Sequence, residues 1–100
     1  MNLQLNWFDR LLYRLRGRDP VAEYYTWLGA YGRVVEGRVL DVWVEGEKTW
    51  ITYRYRIANV DYETSQVLKP SQAEPGHIFV PGATISVRFD PRRPGISVVP

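Results

Sequence analysis

The chain has 100 residues, a net charge of +2 and no cysteine, which suits one small domain with a single modest core. The lack of cysteine excludes disulfides and thiolate metal sites, and so small a charge gives no reason to expect a polyanionic partner. The longest uncharged run near the N-terminus, Tyr24 to Gly32, is much shorter than the roughly 20 residues of a membrane span. With no signal-peptide pattern at the N-terminus either, we expect a soluble or surface-attached protein.

The first predicted element is an amphipathic helix over about residues 7–16. One face is apolar and the remainder is mostly arginine; the apolar residues are Trp7, Phe8, Leu11, Leu12 and Leu15. Such a helix can serve in three ways: it packs on the core, lies in a membrane surface, or docks against a partner or a second copy. Trp7, Arg10 and Arg14 are therefore candidate contacts with a partner or a membrane surface.

A second helix is predicted over about residues 20–31. Asp19 is a typical helix cap, Pro20 suits the first helical position, and Gly32 is a typical end. The apolar residues between them follow helical spacing: Val21, Tyr24, Leu28 and Tyr31. Residues 1–32 thus form an N-terminal helical segment, which we expect to fold as one unit with the rest of the chain.

After Gly32 the hydrophobic period changes to two, which is the period of a β-strand. Five strands are predicted, at about residues 34–44, 50–57, 62–68, 83–89 and 96–99. Gly37 suggests a bulge or a bend in the first strand, and three prolines mark residues 69–82 as a loop. The expected fold is mainly β with N-terminal helices (α+β). Its 33–100 domain is a five-stranded antiparallel meander that curls into a small, partly open barrel of the SH3 or OB kind.

The run ITYRYRIANVDYETSQV, residues 51–67, alternates arginine with tyrosine and raises the question of nucleic-acid binding. Because side chains alternate along a strand, the tyrosines share one face with isoleucines and the arginines lie on the other. A loop at 58–59 matches three pairs across the hairpin: Arg56 with Asp61, Tyr55 with Tyr62, and Arg54 with Glu63. A nucleic-acid platform needs aromatics and free cations on one face, so these pairs favour a structural role.

No constellation of residues in the sequence points to catalysis. His77 is the single histidine, so a metal site would lack a second strong ligand, and a solvated loop position explains it. No serine lies in a nucleophile motif, and no glycine-rich loop matches a phosphate cradle. We therefore predict that the protein is not an enzyme and has no catalytic residue, metal site or cofactor.

Three segments together resemble a known family: EGRVLDV (36–42), TYRYRIANVDYETSQV (52–67) and PGATISVRFDPRRPGISVVP (81–100). The pattern is similar to the bacterial domain of unknown function 3592 over about residues 34–100, and Phe89-Asp90-Pro91 with Pro94 is its most specific part. The family turn usually carries glycine where this chain has Ala58-Asn59. Because alanine disfavours positive φ, this departure favours a wider, four-residue loop. The resemblance implies a β domain often found at bacterial membranes, with no assigned chemistry.

The predicted function is a non-enzymatic interaction or accessory module that contacts an unknown protein partner or forms a homo-oligomer. We expect it in the cytoplasm, either free or peripheral to the inner membrane. The alternative is a small nucleic-acid- or nucleotide-binding barrel that uses Arg88, Arg92 and Arg93, with nucleic acid the less favoured partner. Apart from these arginines, turn chemistry explains residues 90–94, because Asp90 can accept hydrogen bonds from amides of its own turn.

Overall fold

A computed structural model describes residues 19–74 and 79–100 of the chain. The helix predicted over 7–16 lies outside these residues, and so does His77. One helix and five strands follow in chain order: α1 (Pro20–Tyr31), β1 (Arg33–Glu45), β2 (Lys48–Ile57), β3 (Val60–Val67), β4 (Thr84–Asp90) and β5 (Arg93–Val98). Within the described ranges, no helix has the length and apolar character needed to cross a membrane.

Helix α1 begins and ends with well-formed caps. The Asp19 carboxylate accepts hydrogen bonds from the amides of Val21 (2.9 Å) and Ala22 (3.4 Å), which have no partner within the helix. At the other end the Gly32 amide donates to the Leu28 carbonyl at 2.8 Å. Leu28 is fully buried, whereas Tyr31 is 74% exposed, so the packed face is narrower than the apolar spacing predicted.

The five strands form one antiparallel sheet that nearly closes into a barrel, in the order β3-β2-β1-β4-β5. The mainly β barrel expected from the sequence is confirmed, but the connection is not a meander, because β4 lies beside β1 and not beside β3. β1 is 13 residues long, which allows it to pair with two different strands along its length. Its N-terminal half pairs with β4 and its C-terminal half with β2, so β1 lies between these two strands in the sheet.

The irregularity of β1 does not lie at Gly37, where the sequence suggested a bulge. The register with β2 shifts between Val39 and Asp41. Gly37 has a different role, because a Cβ atom at this position would lie 2.7 Å from the Val87 side chain and 3.0 Å from the Arg54 carbonyl oxygen. The glycine therefore allows β1 to approach its neighbours closely.

The β2–β3 hairpin has the predicted register and an unexpected turn. Arg56 pairs with Asp61, Tyr55 with Tyr62 and Arg54 with Glu63, as expected. The expected four-residue loop is wrong, because Ile57 pairs with Val60 and leaves two turn residues. Ala58 (φ 51°) and Asn59 (φ 66°) both adopt positive φ, as a type I′ turn requires. The hydrogen-bonded ladder between β2 and β3 holds Ala58 in this left-handed conformation, which costs an alanine roughly 1–2 kcal/mol.

The core fills the inside of the barrel with large side chains from β2 and β4. Its buried members are Ile51, Tyr53, Tyr55, Leu68, Val87, Phe89 and Val99. Inside the barrel the hydroxyls of Tyr53 and Ser97 are hydrogen-bonded at 2.8 Å, and the Tyr55 hydroxyl donates to the Pro94 carbonyl at 2.5 Å. Both tyrosines therefore bury their rings without leaving a polar atom unsatisfied.

Helix α1 packs on the outside of the β4–β5 hairpin. Ile96 alternates with the inward-facing Ser97, so it points outward, yet it is only 3% exposed. A Cβ atom on Gly29 would lie 3.5 Å from the Pro100 side chain and 3.9 Å from that of Val98. The helix therefore covers the outer face of β5 and leaves its own opposite side in solvent.

Candidate functional site

The solvent side of α1 carries a row of three aromatic rings, Tyr24, Trp27 and Tyr31, which we call the aromatic strip. Ring centroids are 6.1 Å apart between Tyr24 and Trp27 and 6.4 Å apart between Trp27 and Tyr31. Trp27 is 47% exposed and Tyr31 is 74% exposed. Spacings of three and four residues place these side chains on neighbouring turns of the helix, so the strip is continuous.

Tyr24 anchors one end of the strip to the barrel. Its hydroxyl donates a 2.6 Å hydrogen bond to Oδ2 of Asp90 at the end of β4. The other carboxylate oxygen, Oδ1, accepts from the amide of Arg92 at 2.9 Å, which is the turn bond that the sequence predicted. Asp90 therefore joins its own turn to the helix.

The pKa values of the two partners shift in opposite directions. Burial of the hydroxyl, together with the hydrogen bond to Asp90, raises the pKa of Tyr24 well above its usual value. The hydrogen bond from Tyr24 is the main cause that lowers the pKa of Asp90, and the amide of Arg92 and the charge of Arg93 act in the same direction. The pair is thus a neutral phenol that donates to an ionised carboxylate.

The three arginines proposed for nucleic-acid contact lie in two different settings. Arg88 is half-buried and donates to the carbonyl of Gly32 at 2.8 Å, so it fastens β4 to the end of α1. Arg92 and Arg93 are exposed in the β4–β5 turn. Arg88 therefore has a structural contact, and only the pair at the turn presents its charge openly to solvent.

The hairpin arginines keep the acidic partners that the sequence assigned. Arg54 lies 3.5 Å from Glu63 and Arg56 lies 3.7 Å from Asp61, measured between nitrogen and oxygen. All four side chains are more than half exposed. Exposed pairs of this kind stabilise a protein by about 0–1 kcal/mol, so they set the register without adding much stability.

A second aromatic group lies on the outer face of β1 and β2. The rings of Trp43 and Trp50 are stacked, with centroids 5.9 Å apart and planes inclined by 6°. The indole nitrogen of Trp50 is buried, and among the described residues no acceptor takes its hydrogen bond. Trp43 is 36% exposed, which is less than the exposed fraction of Trp27 or of Tyr31 in the aromatic strip.

The edge strands β3 and β5 face each other across a seam that the backbone does not close. No backbone hydrogen bond joins them within residues 19–74 and 79–100. A groove of about 450 Å³ runs along this seam, and we call it the seam groove. Its lining comes from three parts of the chain: Tyr25 of α1, Thr64 to Val67 with Lys69, and Ser97 to Val99.

Side-chain amides bridge the seam where backbone groups do not. Oε1 of Gln66 accepts from the amide of Val99 at 2.8 Å, and Nε2 of Gln66 donates to the carbonyl of Val99 at 3.0 Å. Gln72 adds two bonds from its own Nε2, to the carbonyls of Val99 (3.2 Å) and Pro100 (3.1 Å). The amide of Gln66 therefore occupies the place that a neighbouring strand would take.

Three of the predicted contact residues belong to the first predicted helix. Trp7, Arg10 and Arg14 lie outside the described residues, so their proposed contacts stay predictions. Among residues 19–74 and 79–100, no group of three or more histidine, aspartate or glutamate side chains is arranged to hold a metal ion.

Sequence reasoning missed the two glutamines and the partnership of Tyr24 with Asp90. Gln66 sits at an inward position of β3, opposite Ile51, and a polar residue at such a position is the one signal that could have drawn attention to it. The hydrogen bond of Tyr24 left no comparable signal, because its acceptor lies 66 residues away.

These features define the molecule as a small antiparallel β-barrel domain with a helix on its outer face. A family model described as a domain of unknown function (DUF3592) matches residues 30–100, which is most of the chain. The protein therefore belongs to the DUF3592 family, as its sequence pattern suggested. No curated protein and no solved structure matches the chain.

Proposed function

We propose that this domain is a non-enzymatic protein-interaction module and that the aromatic strip on α1 is its contact surface. The observation that carries this proposal is the exposure of Trp27 and Tyr31 in one continuous row of rings. Tryptophan and tyrosine are the residue types that most often dominate the binding energy of protein interfaces. They bury a large area on binding, and their polar atoms can still find partners in the interface.

The arginine distribution favours a protein partner over a nucleic acid. A platform for single-stranded nucleic acid combines exposed aromatic rings with a basic groove. Here the tyrosines of β2 are buried, Arg88 is bonded to Gly32, and the hairpin arginines have acidic neighbours. The alternative function therefore depends on Arg92 and Arg93, two exposed residues at the end of one turn.

Site-specific photocrosslinking in cells that naturally produce the protein tests the proposal. A benzoylphenylalanine replaces Tyr31 in one variant and Val44 in a control; these side chains are 74% and 70% exposed. We expect the probe at position 31, and not the one at position 44, to give a discrete protein adduct. An adduct of two copies of this chain would identify the homo-oligomer version of the proposal.

The purified partner then gives a quantitative test. Trp27→Ala combined with Tyr31→Ala should weaken its binding by roughly 30-fold or more, the loss of about 2 kcal/mol that defines interface hot spots. The Val44→Ala variant should bind like the unmodified chain. Identical adducts from both probe positions, or unchanged affinity of the double variant, would reject the strip as the contact surface. Flotation with liposomes without any protein adduct would instead support a membrane contact.

A further inference from the structure

Among residues 19–74 and 79–100, no partner takes the backbone groups on the outer edge of β3. The amide of Leu68 donates to the carbonyl of Thr49 at 2.8 Å, so this pair belongs to the hydrogen-bonded set of the β2–β3 ladder. Hydrogen-bonded and non-bonded pairs alternate in an antiparallel ladder. Ser65 and Val67 therefore point their N–H and C=O groups away from β2, toward the seam groove that both residues line.

The opposite wall of the groove offers the same kind of groups. Val99 directs its N–H and C=O toward β3, where the amide of Gln66 takes both. By alternation Ser97, two residues earlier, faces the same way. Val99 thus already accepts an amide in the geometry of a strand partner, although this amide belongs to a side chain.

Strand direction also fits an additional strand. In the order β3-β2-β1-β4-β5 every neighbour is antiparallel, so the two edge strands, β3 and β5, run in the same direction. One further strand, antiparallel to β3, would also be antiparallel to β5. Six alternating strands can then surround the barrel with no parallel pair, which five strands cannot do.

We propose that the seam groove is a docking site for an extended peptide segment of a partner protein, which displaces the side-chain amide of Gln66 from Val99 and adds as a strand antiparallel to β3. Backbone hydrogen bonds to Ser65 and Val67 would provide the recognition, as in other cases of strand addition at a sheet edge. Lys69 is the one charged residue among those that line the groove, and it lies just beyond the end of β3. An antiparallel segment begins at that end, so its first residues are acidic.

This inference goes beyond the aromatic strip, because it names a second surface and a different kind of contact. The groove contains no residue of the strip. Trp27→Ala combined with Tyr31→Ala should therefore leave strand binding unchanged, and either proposal can fail without the other.

Amide hydrogen exchange measured by NMR on the full chain tests the proposal. In the free protein the amides of Ser65 and Val67 should exchange at least ~100-fold faster than those of Thr64 and Gln66, whose N–H groups face β2. The probe is a capped six-residue peptide, an aspartate followed by alternating valine and threonine. Its addition should slow exchange at Ser65 and Val67 by roughly tenfold or more and shift their resonances.

The control peptide has the same side chains with every amide N-methylated, so it cannot form a ladder. Equal effects of the two peptides, or no shift at about 1 mM of the first, would overturn the proposal. Ser65→Pro should also abolish binding, since it removes an N–H that faces the groove, and Ser65→Ala should bind normally. If Ser65→Pro does not fold, the comparison of the two peptides still shows whether binding depends on backbone hydrogen bonds.

Discussion

At the scale of single residues, the hydroxyl of Tyr24 connects α1 to the end of β4 through the carboxylate of Asp90. Asp90 has a lowered pKa in the folded protein, so its contribution to stability is present above its usual pKa of 3.8 and is lost as the pH falls through the folded value. Tyr24 has a raised pKa, so its contribution is present below pH 10.0 and declines as the pH rises toward the folded pKa. The hydrogen bond therefore stabilises the fold across the whole neutral range.

Tyr24→Phe removes the donor and should destabilise the protein in a pH-dependent way. We expect a loss of about 1–2 kcal/mol at pH 7, where the acceptor is ionised and only partly buried. The loss should be smaller at pH 3, because Asp90 of the unfolded chain, with its usual pKa of 3.8, is then mostly protonated and folding has to release that proton. Urea unfolding of the variant and the unmodified chain at both pH values measures this difference.

Tyr31→Phe is the matched control for this prediction. Tyr31 lies on the same helix and is 74% exposed, so loss of its hydroxyl should change the free energy of unfolding by no more than about 0.5 kcal/mol at either pH. A loss for Tyr24→Phe that stays constant between pH 7 and pH 3 would show that the charge of Asp90 does not contribute.

Of the two contacts of Asp90, only the one within its own turn could be predicted from the sequence. The dipeptide Asp90-Pro91 predicted a carboxylate that accepts from its own turn, and the amide of Arg92 does donate to it. The contact with Tyr24 depends on how the helix crosses the β4–β5 hairpin, which no spacing in the sequence expresses. The same holds for Arg88, whose bond to Gly32 was not anticipated.

At the scale of elements, the β2–β3 hairpin shows a register set by side chains and a turn set by the ladder. Charge and aromatic pairing predicted the register correctly. The preference of alanine for negative φ led to the wrong turn, since Ala58 adopts a φ of 51°. The ladder prevailed because eight consecutive pairs fix the strands, whereas a single residue in the left-handed region costs only about 1–2 kcal/mol.

Ala58→Gly should therefore be neutral or stabilising by up to about 1 kcal/mol. The change removes the steric cost of positive φ, which outweighs or balances the greater flexibility of glycine in the unfolded chain. Ala30→Gly provides the matched control, because Ala30 is an exposed residue of α1. There the same change should destabilise by about 0.5 kcal/mol, because Ala30 lies in the last turn of the helix. Thermal unfolding of both variants measures the contrast, and equal losses would contradict the assigned turn.

At the scale of the whole molecule, an odd number of alternating strands leaves the two edges of the barrel parallel to each other. A meander would have placed β4 beside β3, and the sequence offered no means to choose otherwise, since pairing partners across a long link are decided by packing. Placing β4 beside β1 leaves β3 and β5 as parallel edges. Two glutamines bridge those edges, so side-chain amides and not backbone groups connect the two sides of the seam.

Gln66→Met should weaken this closure while it preserves the size of the side chain. The amide of Val99 then loses its acceptor, and its carbonyl keeps only the contact with Gln72. We expect a loss of about 1–2 kcal/mol in the free energy of unfolding, together with faster hydrogen exchange at the amide of Val99. Ser65→Ala removes an exposed hydrogen bond to Thr52 on the outer face of the same strand, so it should cost about 0.5 kcal/mol and leave Val99 protected. If Val99 stays equally protected in Gln66→Met, backbone contacts and not the glutamine hold the two edges together.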